Sequence, residues 1–460
     1  MNLQDVYFQN PWWDLKENIE NDRHIKIFNQ CKFRYFPIFY NELVLEESGI
    51  YTLRGPRQVG KTTSMKLLIK KLLDKGVDPS NILYLTLDNI KDKEELIETL
   101  KNWILLRKKA HSGRQFIFLD EISFIDNWQT ALKYLYDINL LCESFVLLSG
   151  SSAYDIKKSS ERLPGRRGMG IDLIQLPVSF KEYVQTSHHI QIKSYSFSEI
   201  LDFTESELNL LTFEYSKYIV DFNIYYHSGG FPKVINTYIE NNMITQEVIK
   251  IYEDFILGDI ERFSKSRFTL IELLKKIPDI VGQQFSWNSL NNDLNSISSS
   301  NTVQSYIQIL GMNFIISTLF FLDPSKRSIR PKKQKKIYPV DPVISKVIES
   351  LSGKKIDRGN YIESIVLENL LKFSSRKTEG LNLYYGPYYW YSEKKKEIDF
   401  LVEQDSALYP IEVKFQNKVN KSDYSTLKRN FNKGILLSKD TAFKDGNITV
   451  IPVFLFLLLI

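Results

Sequence analysis

Cysteine and histidine are scarce in this sequence, and their scarcity limits the chemistry that the chain can perform. Among 460 residues there are two cysteines, Cys31 and Cys142, and five histidines. The two cysteines form no metal-ligand spacing and fit a reducing, cytoplasmic environment. With so few histidines as well, the sequence argues against a zinc site.

Long apolar runs are missing too. No segment approaches the ~20 apolar residues that a membrane-spanning helix needs, and the first residues lack the basic and apolar regions of a secretory signal. The most apolar segment, 450–460, is interrupted by Pro452. It predicts a buried final strand, with a tail anchor as the alternative. We therefore expect a cytoplasmic protein with no membrane partner.

The overall composition is that of a globular protein with more than one domain. Apolar residues make up 43% and charged residues 25% of the chain, which is typical of globular folds. A length of 460 residues exceeds one ordinary core, so two or three domains are expected. The net charge of +5 permits contact with nucleic acid but does not argue for it alone.

One loop, 55–62, carries the clearest chemical signal. It reads Gly-Pro-Arg-Gln-Val-Gly-Lys-Thr and matches G-x-x-x-x-G-K-[ST], with a strand expected before it and a helix after it. Its two glycines let backbone N–H groups turn towards phosphate oxygens, and the helix N-terminus adds positive potential. The residues predicted to contact the nucleotide are Gly55, Pro56, Arg57, Gln58, Val59, Gly60, Lys61, Thr62 and Thr63.

Two of these residues have specific predicted roles. Lys61 is expected to reach the β- and γ-phosphates, and the Thr62 hydroxyl is expected to ligate Mg²⁺. The sequence therefore predicts ATP as the ligand and Mg²⁺ as its cofactor.

A continuous apolar strand over 116–119 ends in two carboxylates, Asp120 and Glu121. Such a strand belongs in the middle of a parallel sheet, where the carboxyl ends of the strands face a bound nucleotide. Asp120 is predicted to hold Mg²⁺ through water, and Glu121 to polarise the attacking water as a general base.

Two further residues complete this predicted site. Ser149 ends another buried strand, where a γ-phosphate sensor would lie, although a serine in a strand-end turn also has an ordinary structural explanation. Arg166 lies in a glycine-rich turn and could neutralise charge on the transferred phosphoryl group, in cis or from a neighbouring subunit. The alternative for Arg166 is a solvated basic loop.

The strand–helix units of this region predict a three-layer α/β sheet, and helical segments follow it. Helices over 270–280, 287–294 and 302–310 with a strand over 314–322 indicate a winged helix-turn-helix. Its expected recognition helix begins at Asn301 and is polar and uncharged, so contact with DNA and contact with protein both stay open. The basic run over 326–336 is interpreted as a phosphate clamp or as a solvated turn or linker.

A second group of charged residues lies near the C-terminus. Glu363 lies on an amphipathic helix, Asp399 on a strand, and Glu412 and Lys414 on the next strand. Residues i and i+2 of a strand share a face, so Glu412 and Lys414 should point the same way beside Asp399. Asp399 and Glu412 are predicted to bind Mg²⁺, and Lys414 to activate water at a scissile phosphate.

This pattern resembles the PD-(D/E)xK nuclease core, although Ile398 replaces its proline. Two other interpretations stay open: a solvated strip of salt bridges, and a nuclease-like fold without nuclease activity.

Taken together, the chain resembles archaeal and bacterial AAA+ ATPases that combine a P-loop domain, a winged-helix middle and a C-terminal nuclease-like domain of unknown function. Besides the loop at 55–62, the motifs that carry this resemblance are Asn10-Pro11-Trp12-Trp13, Leu119-Asp120-Glu121, Ser149-Gly150-Ser151-Ser152, Leu163-Pro164-Gly165-Arg166-Arg167-Gly168, Gly229-Gly230-Phe231-Pro232, 336–341, 397–400 and 411–414.

The resemblance implies four parts. They are an α/β P-loop AAA+ ATPase domain over 1–175, a helical lid over 176–260, a winged-helix-like module with the basic run over 261–340, and an α/β restriction-endonuclease-like domain over 341–460. The implied function is ATP hydrolysis, association with DNA and an Mg²⁺-dependent nuclease-like domain. The alternative is an ATP-gated regulatory or protein-remodelling switch whose C-terminal domain binds but does not cut. A protein partner or a homo-oligomer fits either function.

Overall fold

The computed structural model describes residues 3–110, 113–150, 163, 165–262, 265–297, 299–375 and 387–460. The sequence predictions for Ser151, Ser152 and Pro164 therefore lie outside the described residues. The chain divides into two compact units, Met1–Leu176 and Pro177–Ile460. The four parts predicted from the sequence are distributed over these two units.

The first unit is built on a five-stranded parallel sheet, which confirms the predicted α/β class. Its strands lie in the order β2-β3-β4-β1-β5, and helices link β1 to β2, β2 to β3 and β3 to β4 along the chain, as parallel pairing requires. The strands are β1 (Gly49–Arg54), β2 (Ile82–Thr86), β3 (Phe116–Asp120), β4 (Phe145–Gly150) and β5 (Asp172–Ile174).

Both faces of this sheet are buried. In β3, Ile117 and Leu119 pack into one apolar cluster, whereas Phe116 and Phe118 pack into another on the opposite face. Since side chains alternate across a strand, the continuous apolar run of β3 places a core on each side. The α-helices of this unit are α1 (Leu3–Gln9), α2 (Arg23–Gln30), α3 (Phe39–Glu42), α4 (Lys61–Asp74), α5 (Lys93–Ala110) and α6 (Trp128–Asp137).

The Asn-Pro-Trp-Trp motif covers the outer edge of β2, the strand at one end of the sheet. Asn10 exchanges hydrogen bonds with the backbone of Tyr84 in β2, accepting from its N–H at 2.6 Å and donating to its carbonyl at 2.9 Å. The indole N–H groups of Trp12 and Trp13 both donate to the carbonyl of Ile82, at 3.2 and 2.8 Å. An edge strand otherwise presents unpaired backbone groups, so this motif has a structural role.

The second unit contains a six-stranded mixed sheet in the order β10-β11-β12-β13-β15-β14. Pairing is antiparallel from β10 to β12 and parallel from β12 through β13 to β15. The strands are β10 (Tyr388–Tyr391), β11 (Glu397–Gln404), β12 (Ala407–Val413), β13 (Gly434–Ser438), β14 (Phe443–Asp445) and β15 (Ile448–Pro452).

The predicted final strand over 450–460 is wrong beyond Pro452. The strand β15 ends at Pro452, and Val453–Leu459 forms a helix in which every residue is buried. Proline is well tolerated at the start of a helix but cannot continue a strand ladder, and an unbroken apolar run has no period that separates strand from helix. In the described part of the chain, no helix is long and apolar enough to cross a membrane.

The remaining elements of this unit are helices and two short β-ribbons. The ribbons pair β6 (Ile316–Phe320) with β9 (Lys335–Pro339) and β7 (Leu322–Asp323) with β8 (Ser328–Ile329). The α-helices are α7 (Phe180–His188), α8 (Phe197–Asp202), α9 (Glu205–Tyr215), α10 (Ile219–Ser228), α11 (Pro232–Asn241), α12 (Gln246–Arg262), α13 (Arg267–Ile280), α14 (Trp287–Asn292), α15 (Ser300–Met312), α16 (Pro342–Ser352), α17 (Arg358–Ser375), α18 (Ser425–Asn430) and α19 (Val453–Leu459).

Both sequence interpretations require the basic run over 326–336 to be exposed along its whole length, but only part of it is. Lys326 and Arg327 are exposed in the turn between β7 and β8, and Lys332 is exposed before β9. Lys335 and Lys336, however, are 3% and 1% exposed within β9. The run is therefore an exposed basic segment followed by a buried strand.

Two separated motifs of the sequence meet around Asp341. Its carboxylate accepts hydrogen bonds from the N–H groups of Gly230 and Val343, both at 2.7 Å. A β-carbon on Gly229 would lie 2.3 Å from an oxygen of Asp341, and Gly229 has φ 68° and ψ −162°, a region that glycine alone occupies readily. The Gly-Gly turn and the aspartate therefore require each other.

Replacing Gly229 with alanine should destabilise the second unit more than the same change at Gly353. Gly353 also has φ 68°, but a β-carbon there meets nothing within 4 Å, so its cost is the left-handed strain of roughly 1–2 kcal/mol. Gly229→Ala adds the overlap with Asp341, about 1–3 kcal/mol more. Chemical unfolding of both variants measures the difference, and equal losses of stability would contradict this account of the turn.

Candidate functional site

The loop after β1 has the backbone that its sequence pattern requires. Gly60, which precedes α4, is left-handed with φ 101°. A β-carbon on Gly55 would lie 2.1 Å from the carbonyl oxygen of Gln175, so only glycine fits there. Between them Gln58 is also left-handed, with φ 63°. The loop thus curves around the N-terminus of α4, where free N–H groups favour an anion.

Gln175, which follows β5, holds this loop in place. Its side-chain amide donates to the carbonyl of Val59 at 2.9 Å and accepts from the Ser64 hydroxyl at 3.1 Å. Its backbone N–H donates to the carbonyl of Arg54 at 2.8 Å. No local sequence pattern marks Gln175 as part of the site, because it lies far from the loop along the chain.

Lys61 lies inside the loop. Its ammonium donates to the carbonyls of Gly55 and Pro56, at 2.9 and 3.0 Å, and the residue is 5% exposed. A buried ammonium attracts an anionic group strongly because little solvent screens it. The side chain is therefore placed beside the loop that would hold phosphates.

Asp120 is the centre of this site and accepts hydrogen bonds from three hydroxyl groups. Thr62 and Tyr84 donate to its Oδ2 at 2.7 and 2.9 Å, and Ser149 donates to its Oδ1. The Ser149 oxygen also accepts from the backbone N–H of Glu121 at 3.0 Å. The structure thus brings together Thr62, Asp120, Glu121 and Ser149, which were predicted from separate strand ends.

Tyr84 and Lys66 belong to this cluster and were missed by sequence reasoning. Lys66 lies 3.4 Å from the ring centre of Tyr84 and forms an ion pair with Asp22 at 3.2 Å. Burial lowers the pKa of Lys66, although Asp22 and Asp120 oppose that shift. Burial and Asp120 together raise the pKa of Tyr84, so its hydroxyl stays a proton donor. Both residues also line a cavity of about 430 Å³ beside the N-terminal segment.

Two carboxylates besides Asp120, those of Glu121 and Asp88, belong to this region of the site. Glu121 is left-handed with φ 57°, a conformation that costs a non-glycine residue roughly 1–2 kcal/mol and that concentrates at functional sites. Burial, and then the charges of Glu121 and Asp120, raise the pKa of Asp88 after β2. Asp88 was also missed, because nothing in its neighbouring sequence shows that it faces Glu121.

The donor set at Asp120 fits Mg²⁺. This ion usually takes one or two protein oxygens and completes its shell with water and phosphate oxygens. The Thr62 hydroxyl and the Asp120 carboxylate lie in direct contact at 2.7 Å, so both oxygens are available to one small cation. Among the described residues no group of three histidine, cysteine, aspartate or glutamate side chains is placed to hold a metal.

The contacts that the structure describes for the Arg166 side chain do not include Asp120 or Lys61. Its guanidinium pairs with Asp137 at the end of α6, at 2.6 Å, and this hydrogen bond lowers the pKa of Asp137. Its predicted role at the phosphates would require release from that partner.

The second predicted group also comes together, within the other unit. Glu412 of β12 and Lys414, the first residue after that strand, are paired at 2.6 Å, and the Oδ2 of Asp399 accepts from the N–H of Val413 at 2.9 Å. Glu363 on α17 accepts from the hydroxyl of Tyr338 at 2.7 Å. Burial raises the pKa of Glu363 and of Glu412, and in each case the nearby charge of Asp399 adds to the shift.

Lys336 of β9 is the member of this second group that sequence reasoning missed. Its ammonium lies 2.5 Å from Glu397 and 3.4 Å from Asp399. Sequence analysis assigned it to an exposed basic run, and no local pattern shows that one lysine of such a run is buried. Because the ammonium groups of Lys336 and Lys414 already pair with its carboxylates, this group does not fit a bound Mg²⁺ ion as it stands.

Family models match three parts of the chain. Residues 47–184 match the AAA domain model. Residues 219–355 and 358–456 match two models described as domains of unknown function, DUF8612 and DUF4143. Residues 47–184, which include the loop at 55–62, Asp120 and Ser149, are therefore similar to an AAA domain. A search of curated proteins gives no match.

Solved structures similar to this chain include a Walker-type ATPase and an ORC1 protein. The Walker-type ATPase PABY2304 of Pyrococcus abyssi is 15% identical, with a TM-score of 0.42, over 67% of this chain and 93% of that chain. The ORC1 protein of Aeropyrum pernix, solved in complex with DNA, is 11% identical, with a TM-score of 0.32, over 74% of this chain and 96% of that chain.

Ser149→Ala should lower ATP turnover by roughly 10- to 100-fold, the usual effect of removing a group that orients a metal-binding carboxylate. The change removes the hydroxyl that joins Asp120 to the backbone of Glu121. Ser144→Ala is the matched control, because Ser144 is a buried serine at the opposite end of β4 and contacts Gln115. Phosphate release measures turnover, and equal rates for the two variants would exclude this role for Ser149.

Proposed function

We propose that residues 55–63 bind the phosphates of ATP and that the Asp120 cluster hydrolyses it. The observation that carries the proposal is the convergence of Thr62, Tyr84 and Ser149 on Asp120 beside the loop that contains Lys61. In this arrangement the contacts lie at the carboxyl edge of a parallel sheet, the usual ligand site of such sheets.

Each residue of the cluster has a separate proposed role. Lys61 exchanges its two carbonyl partners for phosphate oxygens. Thr62 and Asp120 hold Mg²⁺, which when bound neutralises charge on the phosphates. Glu121 accepts a proton from the attacking water, and Ser149 fixes Asp120 relative to the backbone of Glu121. Arg166 reaches the nucleotide only after it leaves Asp137.

For the remainder of the chain we propose a helical lid over 176–260, a winged-helix-like module over 261–340 and a nuclease-like domain over 341–460. Three helices followed by the β6–β9 ribbon support the winged helix, and the exposed residues Lys326, Arg327 and Lys332 support contact with DNA. The engaged carboxylates of the second group favour the alternative in which this domain binds but does not cut.

Glu121→Gln should lower ATP turnover by about 10²- to 10⁴-fold, the usual contribution of a general base, and should leave ATP affinity close to that of the wild type. Lys61→Ala should instead weaken ATP binding itself. Glu143→Gln is the control, because Glu143 is an exposed carboxylate just before β4. Turnover by Glu121→Gln at the wild-type rate would contradict the assignment of the base.

Association with DNA is tested by removing three exposed positive charges. Replacing Lys326, Arg327 and Lys332 with glutamine should weaken DNA binding and reduce its salt dependence, since each lost phosphate contact lowers the slope by about 0.9. The control replaces Lys394, Lys395 and Lys396, which carry the same charge and are also exposed. Equal DNA affinity for the two triple variants would favour a protein partner for this surface. ATP turnover with and without duplex, single-stranded and branched DNA then shows whether the two functions are coupled.

A further inference from the structure

Four carboxylates and two ammonium groups form one cluster in the second unit, of which Lys336, Asp399 and Glu412 are buried and the others partly exposed. The carboxylates belong to Glu363, Glu397, Asp399 and Glu412, and the ammonium groups to Lys336 and Lys414. Lys336 is the least exposed member, at 1%. Its Nζ lies 2.5 Å from Oε1 of Glu397 and 3.4 Å from Oδ1 of Asp399, so it bridges two carboxylates of the strand β11.

Several other oxygens of the cluster accept hydrogen bonds from donors of the protein, whereas Oε2 of Glu412 is buried without a hydrogen-bond partner. Oε2 of Glu397 accepts from the side-chain amide of Gln284 at 2.5 Å. As described above, Asp399 also accepts from the Val413 N–H, Glu363 from the Tyr338 hydroxyl, and Glu412 from Lys414. A divalent cation would have to displace several of these donors to gain the oxygen ligands that it needs.

Lys336 is held in position from several sides. Its backbone lies in β9, opposite Leu319 of β6. Its ammonium lies 5.7 Å from the ring centre of Tyr389, and the hydroxyl of that tyrosine donates to the carbonyl of Gln334 at 2.5 Å. The ammonium therefore lies inside the protein, where protein groups and not solvent surround it.

The charge of Lys336 is stabilised by its surroundings. Burial alone would lower its pKa, but the carboxylates of Asp399, Glu363 and Glu397 raise it above its ordinary value. An ammonium buried without such partners would be strongly destabilising. Lys336 and Lys414 together bring two positive charges to the cluster, which is the charge that one divalent cation would bring.

We propose that Lys336 is a built-in counter-ion that takes the place of a divalent cation among Glu397, Asp399 and their neighbouring carboxylates. The folded C-terminal domain then binds no Mg²⁺ or Mn²⁺ at this cluster, and removal of the lysine charge opens a divalent-cation site. The proposal concerns the second unit alone and does not depend on ATP hydrolysis by the first.

The test is Mn²⁺ binding to the full chain without nucleotide, followed by electron paramagnetic resonance. Lys336→Met should bind Mn²⁺ roughly tenfold or more tightly than the wild type, a gain of about 1.4 kcal/mol. Adding Asp399→Asn to that variant should abolish the gain. Lys335→Met is the matched control, because Lys335 is also buried in β9 but donates to the carbonyl of Lys333 and lies over Trp287.

Two outcomes would overturn the proposal. One is Mn²⁺ binding by the wild type that Asp399→Asn removes, since the cluster would then accept the ion beside Lys336. The other is a folded Lys336→Met variant that gains no Mn²⁺. Circular dichroism and thermal unfolding show whether that variant folds. If Lys336→Met does not fold, Lys336→Gln is measured in its place. Comparison of the wild type with Asp399→Asn tests independently whether the wild-type cluster binds a divalent cation.

Discussion

The hydrogen bonds to Asp120 are the constraint on which the first unit depends. A buried carboxylate is costly unless donors surround it, and here the parallel register supplies them. Thr86 of β2 lies opposite Asp120, which brings the Tyr84 hydroxyl of the same strand within reach, and β4 places Ser149 on the other side. The loop after β1 contributes Thr62 from the start of α4. The sheet order and the loop conformation therefore determine together which donors reach Asp120.

The carboxylates around Asp120 and those around Asp399 both need donors inside the protein, but the donors differ in charge. We expect this difference in charge to determine whether each cluster binds a cation. Asp120 is satisfied by neutral hydroxyl groups, which leave its negative charge available to a cation. The cluster around Asp399 is satisfied partly by ammonium groups, which offset part of that charge. A metal can take up a position among hydroxyl groups with little electrostatic loss, whereas it must repel an ammonium that the fold holds in place. Similar residue types thus support opposite expectations about metal.

Site residues could be predicted from the sequence where one local pattern determined both the secondary-structure element and the direction of its side chains. The loop at 55–62, the apolar strand before Asp120 and the strand end at Ser149 are of this kind, and the structure brings their side chains together. Tyr84, Lys66, Gln175 and Lys336 could not be found, because each reaches its site through packing of segments that are distant in sequence. The error at 453–459 has a different cause, since a run without polar residues carries no period.

Part of the resemblance to AAA+ ATPases is carried by residues whose contacts are structural. Asn10, Trp12 and Trp13 cover the edge of β2, and Gly229 with Gly230 accommodates Asp341. Such contacts are needed for folding whatever reaction the chain performs. The motif at 397–400 and 411–414 can likewise persist because its carboxylates pair with Lys336, Gln284 and Lys414 inside the protein. Under the proposed role of Lys336 as a counter-ion, these carboxylates need no bound metal, so the motif by itself does not imply nuclease chemistry.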